Sequence, residues 1–247
     1  ATAAAIKLTS GVAPSVRFGL PRPARTVVVS AGAASGADEA DAPPSAGTAI
    51  AVDLWLAQNG TRSTLADGST LWRLTVRCAD CLWMSATVVG FKLPPGARLF
   101  VHGEGGVGAH GAYSAANNAA HGTFGVPPLP GRALTLEYHG DGASEPTLRL
   151  TEVLAGSSVA FAARPPNEAS YDPLRRSVDA SGGCMVDAAC EPAWARAARG
   201  VVALLIDRAI CSGTLVNTLG GRREKPLLLT AFHCVRSLVE QRIAAAR

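Results

Sequence analysis

The sequence predicts a mostly β protein. Three observations predict it. Short apolar segments with partial polar alternation recur from about residue 50 onward; Gly, Pro, Asp and Asn punctuate most of the gaps between them; and no helix-period segment of comparable strength interrupts the series. Five or more such segments imply an antiparallel β-sandwich or barrel. The 247 residues, 48% of them hydrophobic, suffice for one large domain or two modest ones. Aromatic residues contribute only 5%, so much of the apolar content is small side chains and the core is thinner than that fraction suggests.

Residues 1–46 are rich in Arg, Ala, Ser, Gly and Pro and read as a disordered leader or pro-segment outside the fold. Residues 47–160 are expected to form a β-sandwich N-terminal domain. Its strands are "STLWRLTVRC", "LWMSATVVGFKL", "ARLFVHG", "ALTLEYHG" and "TLRLTEVL". Between the second and third of these, Pro94 and Pro95 preset a turn and Gly96 supplies the backbone freedom it needs. The Gly-rich "HGEGGVGAHGAYSAANNAAHGTFG" lacks the Lys-Ser/Thr ending of a phosphate loop and the helix of a dinucleotide fingerprint, so it reads as a long connection between strands. Residues 161–183, polar and Pro-rich, read as a linker, and Arg175-Arg176 within it would make an exposed proteolytic site. Residues 184–247 form the last segment.

The formal charge of +4 is spread along the chain, with no basic run and no aromatic-basic stripe, which argues against a nucleic-acid partner. No window approaches the ~18 continuous apolar residues of a membrane helix. A soluble chain without a membrane partner is the expectation.

The six cysteines, at 78, 81, 184, 190, 211 and 234, favour disulfides and an oxidising, secreted or extracellular setting. The sequon Asn59-Gly60-Thr61 agrees with that setting and marks Asn59 as a glycosylation candidate. Cys78-Ala79-Asp80-Cys81 reads as a turn between two strands across which the thiols can pair; the βαβ context of a redox motif is missing. His102, His110, His121 and His139 lie 8 to 18 residues apart in Gly-rich turns, without the second close pair that a structural zinc site needs. No metal and no cofactor are expected. Asp179-Ala180-Ser181-Gly182-Gly183 superficially suggests a nucleophile loop, but it precedes His233 and is one residue out of step, so it reads as a chance match in the linker.

The C-terminal segment carries the strongest chemical signal. "GVVALLI", "AICSGTLVN" and "KPLLLTA" are strand candidates, with the polar turn "GGRRE" between the last two. A strand with Cys-Ser-Gly-Thr-Leu-Val followed by one closing on Thr-Ala-Phe-His-Cys resembles the opening of a chymotrypsin-fold serine protease. With the Cys184-x5-Cys190 spacing, Cys211 to Asn217 and Leu228 to Cys234 in order, it resembles more closely the bacterial lysyl endopeptidase family. Upstream, "ADGSTLWRLTVR", "FKLPPGARLFVHG" and "GTFGVPPLPGRALTLEY" resemble the β-rich region that precedes the protease in many relatives, so the resemblance spans roughly residues 60 to 234.

The resemblance implies an incomplete trypsin-like β-barrel over residues 184–247. In it His233 matches the general base, and Cys211 and Cys234 match the disulfide that fixes the imidazole within reach of a Ser hydroxyl. Cys184 and Cys190 match cysteines whose partners lie later in the protease, which leaves them free or paired with each other. The orienting Asp and the nucleophilic Ser follow the His motif in the family, whereas "CVRSLVEQRIAAAR" offers no Asp and only Ser237, too close in sequence to face the imidazole. The expectation is a serine endopeptidase acting on protein or peptide substrates, truncated before Asp and Ser and inactive as this chain. The alternative is a non-catalytic secreted β-sandwich that binds a protein or glycan and keeps a degenerate protease remnant.

Overall fold

The structure is a computed structural model and describes residues 26–30, 46–65, 67–143, 145–157, 191–206, 208–217 and 227–235. The chain divides into two compact units: residues 1–34 with 47–173, and residues 35–46 with 174–247.

The first unit is built from two sheets. A four-stranded antiparallel sheet runs in the order β2 (Gly47–Trp55), β10 (Arg149–Gly156), β5 (Trp83–Val89), β8 (Thr123–Pro130). A six-stranded sheet has the path β1 (Thr26–Val29), β4 (Thr70–Cys78), β9 (Ala133–Gly140), β6 (Arg98–His102), β7 (His110–Tyr113), and β3 (Thr61–Thr64) also pairs with β4. A single helical turn, α1 (Leu56–Asn59), links β2 to β3.

Alternation explains how the two sheets share one core. Successive side chains of a strand point to opposite faces. Trp72, Leu74 and Val76 of β4, Leu134, Leu136 and Tyr138 of β9, and Leu99 and Val101 of β6 enter a single buried cluster. Met84, Ala86 and Val88 of β5 and Val153 and Ala155 of β10 enter the same cluster. The fully buried Trp83 stands opposite Gly156 in the ladder, and a Cβ at Gly156 would fall into the indole. The Pro94–Ala97 turn closes with the Ala97 amide donating to Pro94 O at 3.2 Å, and Gly96 takes a φ of +86° there, the left-handed value that glycine adopts without strain.

The reverse face of the six-stranded sheet is buried as well. Arg73 stands opposite Glu137, and Thr75 and His102 both stand opposite Thr135; all five are buried. The Thr75 and Thr135 hydroxyls bond each other at 2.9 Å, and His102 Nε2 lies 3.3 Å from Glu137 Oε2. Burial holds the Arg73 guanidinium below its ordinary pKa, against the opposing pull of Glu137.

The structure departs from the sequence expectation in three places. Residues 26–29, inside the stretch expected to be a disordered leader, form β1: Thr-Val-Val-Val is a β-branched run, and Val27 and Val29 pack on the core beside β4. The Gly-rich stretch expected as one long connection contains β7, which docks on β6 through Leu99↔Tyr113 and Val101↔His110 and buries Tyr113 in the core. Residues 123–130 form β8 despite Pro127, Pro128 and Pro130. The strand lies at the sheet margin, where proline is tolerated, and its register slips between Met84 and Ala86 so that Pro127 and Pro128 oppose Ser85 alone. Ser85 Oγ donates to Val126 O at 2.7 Å across that bulge.

In the second unit a 3-10 turn (Pro192–Trp194) runs into a short helix, α2 (Ala195–Ala198), followed by β11 (Val201–Ile206), β12 (Ala209–Val216) and β13 (Leu227–Thr230). These strands form an open three-stranded antiparallel sheet, and no closed barrel is present among the described residues.

Candidate active site

The three-stranded sheet places His233. β11 and β12 pair from Ile206↔Ala209 to Val201↔Thr214, and β12 and β13 from Gly213↔Thr230 to Val216↔Leu227. Gly213 sits where the neighbours close in: a Cβ there would lie 3.0 Å from Leu228 Cδ1 and 3.1 Å from both Leu204 Cδ1 and Leu229 O. The small residue lets the three strands stack their leucines. Thr230 ends β13 by donating its hydroxyl to Ser212 O at 2.8 Å, and the chain then turns into one helical turn at 232–235, with the Cys234 amide donating to Ala231 O at 3.1 Å.

A disulfide joins Cys211 of β12 to Cys234 in that turn, with Cα atoms 6.1 Å apart, inside the usual range for such bridges. Both cysteines are buried while His233 between strand and bridge is exposed. One ring nitrogen of His233 lies within 4.8 Å of both sulfurs. Three potential ligands that close would suit a metal in other circumstances. Here the two sulfurs are spent on each other, and an oxidised disulfide offers no thiolate. The bridge ties the turn that carries His233 to β12.

Among the described residues the His233 ring meets no hydrogen-bond partner, carboxylate or hydroxyl. Cys184, Cys190, Arg175, Arg176, the Asp179–Gly183 stretch, the "GGRRE" turn and Ser237 lie outside the described residues.

The remaining candidates lie in the first unit. Cys78 and Cys81 form a disulfide across the β4–β5 turn, with Cα atoms 5.5 Å apart, and both are almost wholly buried in the core. Asn59 closes α1, its Oδ1 accepting the Trp55 amide at 2.8 Å. The other histidines go separate ways. His102 bonds Gly103 O at 2.9 Å as well as Glu137, His121 Nδ1 accepts the Thr123 amide at 3.1 Å, and His139 Nε2 meets Ser69 Oγ at 2.8 Å. His110 on β7 is held below its ordinary pKa by burial alone.

Sequence reasoning did not anticipate the Asp67, Ser69 and His139 group. Asp67 Oδ1 accepts both the amide of Ser69 at 3.0 Å and its hydroxyl at 2.5 Å, which draws the carboxyl below the ordinary aspartate range. The wiring is the reverse of a nucleophile triad. The hydroxyl proton is directed at the carboxylate, and an alkoxide there would face that negative charge. This is a turn closure that pins the β3–β4 hairpin to β9.

Against known proteins, residues 178–246 match the family model of the lysyl endopeptidase C-terminal domain. The matched stretch contains β11–β13, the Cys211–Cys234 bridge and His233, so this part of the chain is similar to that protease-family domain. No curated protein and no solved structure matches the chain.

Proposed function

We propose that residues 184–247 are the first part of a trypsin-like serine protease domain of the lysyl endopeptidase type, with His233 as its general base. The observation that carries the reading is the placement of His233: directly after β13, exposed, and beside a bridge to β12, within the stretch that matches the family. A general base must present one nitrogen to a hydroxyl at about 2.6–3.2 Å, and a fixed backbone on both sides of the imidazole restricts where that nitrogen can be.

In the reaction His233 takes the proton of a Ser hydroxyl as it attacks the peptide carbonyl. The C–N bond then breaks, the imidazolium gives its proton to the leaving amine, and water repeats the cycle on the acyl-enzyme. The residues after His233 provide no Asp, and Ser237 follows too closely to reach back. The general-base role of His233 requires a serine nucleophile, an orienting carboxylate and oxyanion donors around it. Its disulfides suit an oxidising, extracellular location, and no helix among the described residues is long and apolar enough to cross a membrane.

One measurement tests this: in a protein that carries the complete domain, a fluorophosphonate probe should label a serine and His233→Ala should abolish that labelling together with peptide hydrolysis, whereas labelling unchanged in His233→Ala would overturn the general-base assignment.

A further inference from the structure

Cys211, His233 and Cys234 bring one ligand atom each within 4.8 Å of one another, the closest approach of metal-ligating side chains described for this chain. Tetrahedral zinc, bound at about 2.3 Å by sulfur and about 2.0–2.1 Å by imidazole, sets its ligand atoms about 3.5–3.8 Å apart. That separation lies inside the span these three atoms already occupy. The imidazole is exposed, so a water can complete a four-coordinate shell beside two thiolates and one ring nitrogen.

Opening the bridge does not release the turn. The Thr230 hydroxyl donates to Ser212 O at 2.8 Å, Gly213 pairs with Thr230 in the ladder, and the Cys234 amide donates to Ala231 O at 3.1 Å. None of these bonds needs a sulfur, and together they keep the backbone of Cys234 near that of Cys211, with Cα atoms 6.1 Å apart. We propose that Cys211, His233 and Cys234 form a redox-gated zinc site, closed while the two sulfurs are bonded to each other and open to Zn²⁺ once a dithiol has reduced them. The dithiol's thiolate attacks one sulfur of the bridge, its second thiol displaces the mixed disulfide, and it leaves as a cyclic disulfide. Two electrons thereby pass to Cys211 and Cys234, and Zn²⁺ binding displaces their two thiol protons to solvent. The site itself asks nothing of the peptidase reading. Its effect on catalysis, capture of the imidazole assigned as general base, rests on that reading.

Site-resolved alkylation tests the proposal. The chain is reduced with dithiothreitol, freed of the dithiol without air, and alkylated with and without Zn²⁺, and peptide mapping reads each cysteine separately. Zn²⁺ should slow alkylation of Cys211 and Cys234 roughly tenfold or more, because a metal-bound thiolate is withdrawn from reaction, and His233→Ala should remove most of that protection. Hydrogen exchange on the same samples separates a folded site from thiols gathered by an unfolded chain: the β12–β13 amides of the zinc-loaded chain should be as protected as in the bridged chain. The proposal is overturned if dithiothreitol leaves the bridge closed, or if Zn²⁺ leaves both alkylation rates unchanged. It is equally overturned if His233→Ala is protected as well as the parent, or if the thiols are protected while the β12–β13 amides exchange freely. None of these readouts involves peptide hydrolysis, so failure here leaves the general-base assignment standing, and failure of that assignment leaves the zinc site standing.

Discussion

Cys211 and Cys234 lie 23 residues apart in sequence and 6.1 Å apart between Cα atoms, and their bridge ties the middle of one strand to the turn that follows the next. Peptide mapping without reduction should recover them linked. Replacing both by Ala should lower the stability of the second unit by about 3 kcal/mol, the scale for closing a loop of this length. Hydrogen exchange at the β12–β13 amides reads that loss directly. Unchanged protection would mean that strand pairing alone holds the turn bearing His233.

Two glycines are predicted to be intolerant of a methyl group. Gly156→Ala drives a Cβ into the Trp83 ring, and Gly213→Ala crowds Leu204, Leu228 and the Leu229 carbonyl. Overpacking of this kind costs about 1–3 kcal/mol, with Gly156→Ala at the upper end because backbone and a fully buried indole must both yield. Denaturant midpoints of the two variants against the parent chain measure it.

The buried Arg73 and Glu137, paired across β4 and β9, give an asymmetric expectation. Glu137→Ala leaves a buried guanidinium without its facing carboxylate and should destabilise by about 3–5 kcal/mol. Replacing both by apolar residues, Arg73→Met with Glu137→Leu, should be milder, because the desolvation cost of each charge disappears with it and the remaining loss is the bond between His102 and Glu137. Chemical denaturation of the three variants decides the matter; equal losses would show that shape and not charge dominates here.

His110 predicts a pH dependence. Burial lowers its pKa in the folded state, so the unfolded chain binds the proton more tightly. Stability therefore rises with pH through the window below the ordinary value of 6.5 and is lost as the pH falls through it. The denaturant midpoint should drop between pH 7.5 and pH 5.5, and His110→Asn should flatten that change. The carboxyls of Asp53 and Asp67, both held below 3.8 by hydrogen bonds, from Arg149 and Ser69 respectively, act in a separate, more acidic window.

What could be read from the sequence follows from how strongly each segment announces its period. β4, β6 and β9 alternate along most of their length and each lies within a segment singled out for that alternation, while β10 outruns its segment by Ala155 and Gly156. β8 was illegible because its three prolines argue against a strand, and only its marginal position and bulge reconcile them with one. β1 is four residues in a Gly/Ala/Pro-rich setting, and its partner is remote in sequence, so local pattern carries no trace of the pairing. At the site, the Thr-Ala-Phe-His-Cys ending marked His233. The exposure of Leu227, Leu228 and Leu229 on consecutive positions of β13 was not readable, because in sequence a run of leucines looks like core.

The prolines of β8 have a consequence beyond local geometry. Three of its eight residues lack an amide hydrogen, so this one of the two outer strands of the four-stranded sheet offers an incoming chain a broken row of donors. Cross-β growth proceeds by matching such rows, molecule after molecule, and here the match fails at the first step. The β8 flank is therefore a poor seed for the next chain, in contrast to the opposite margin, where β2 carries no proline.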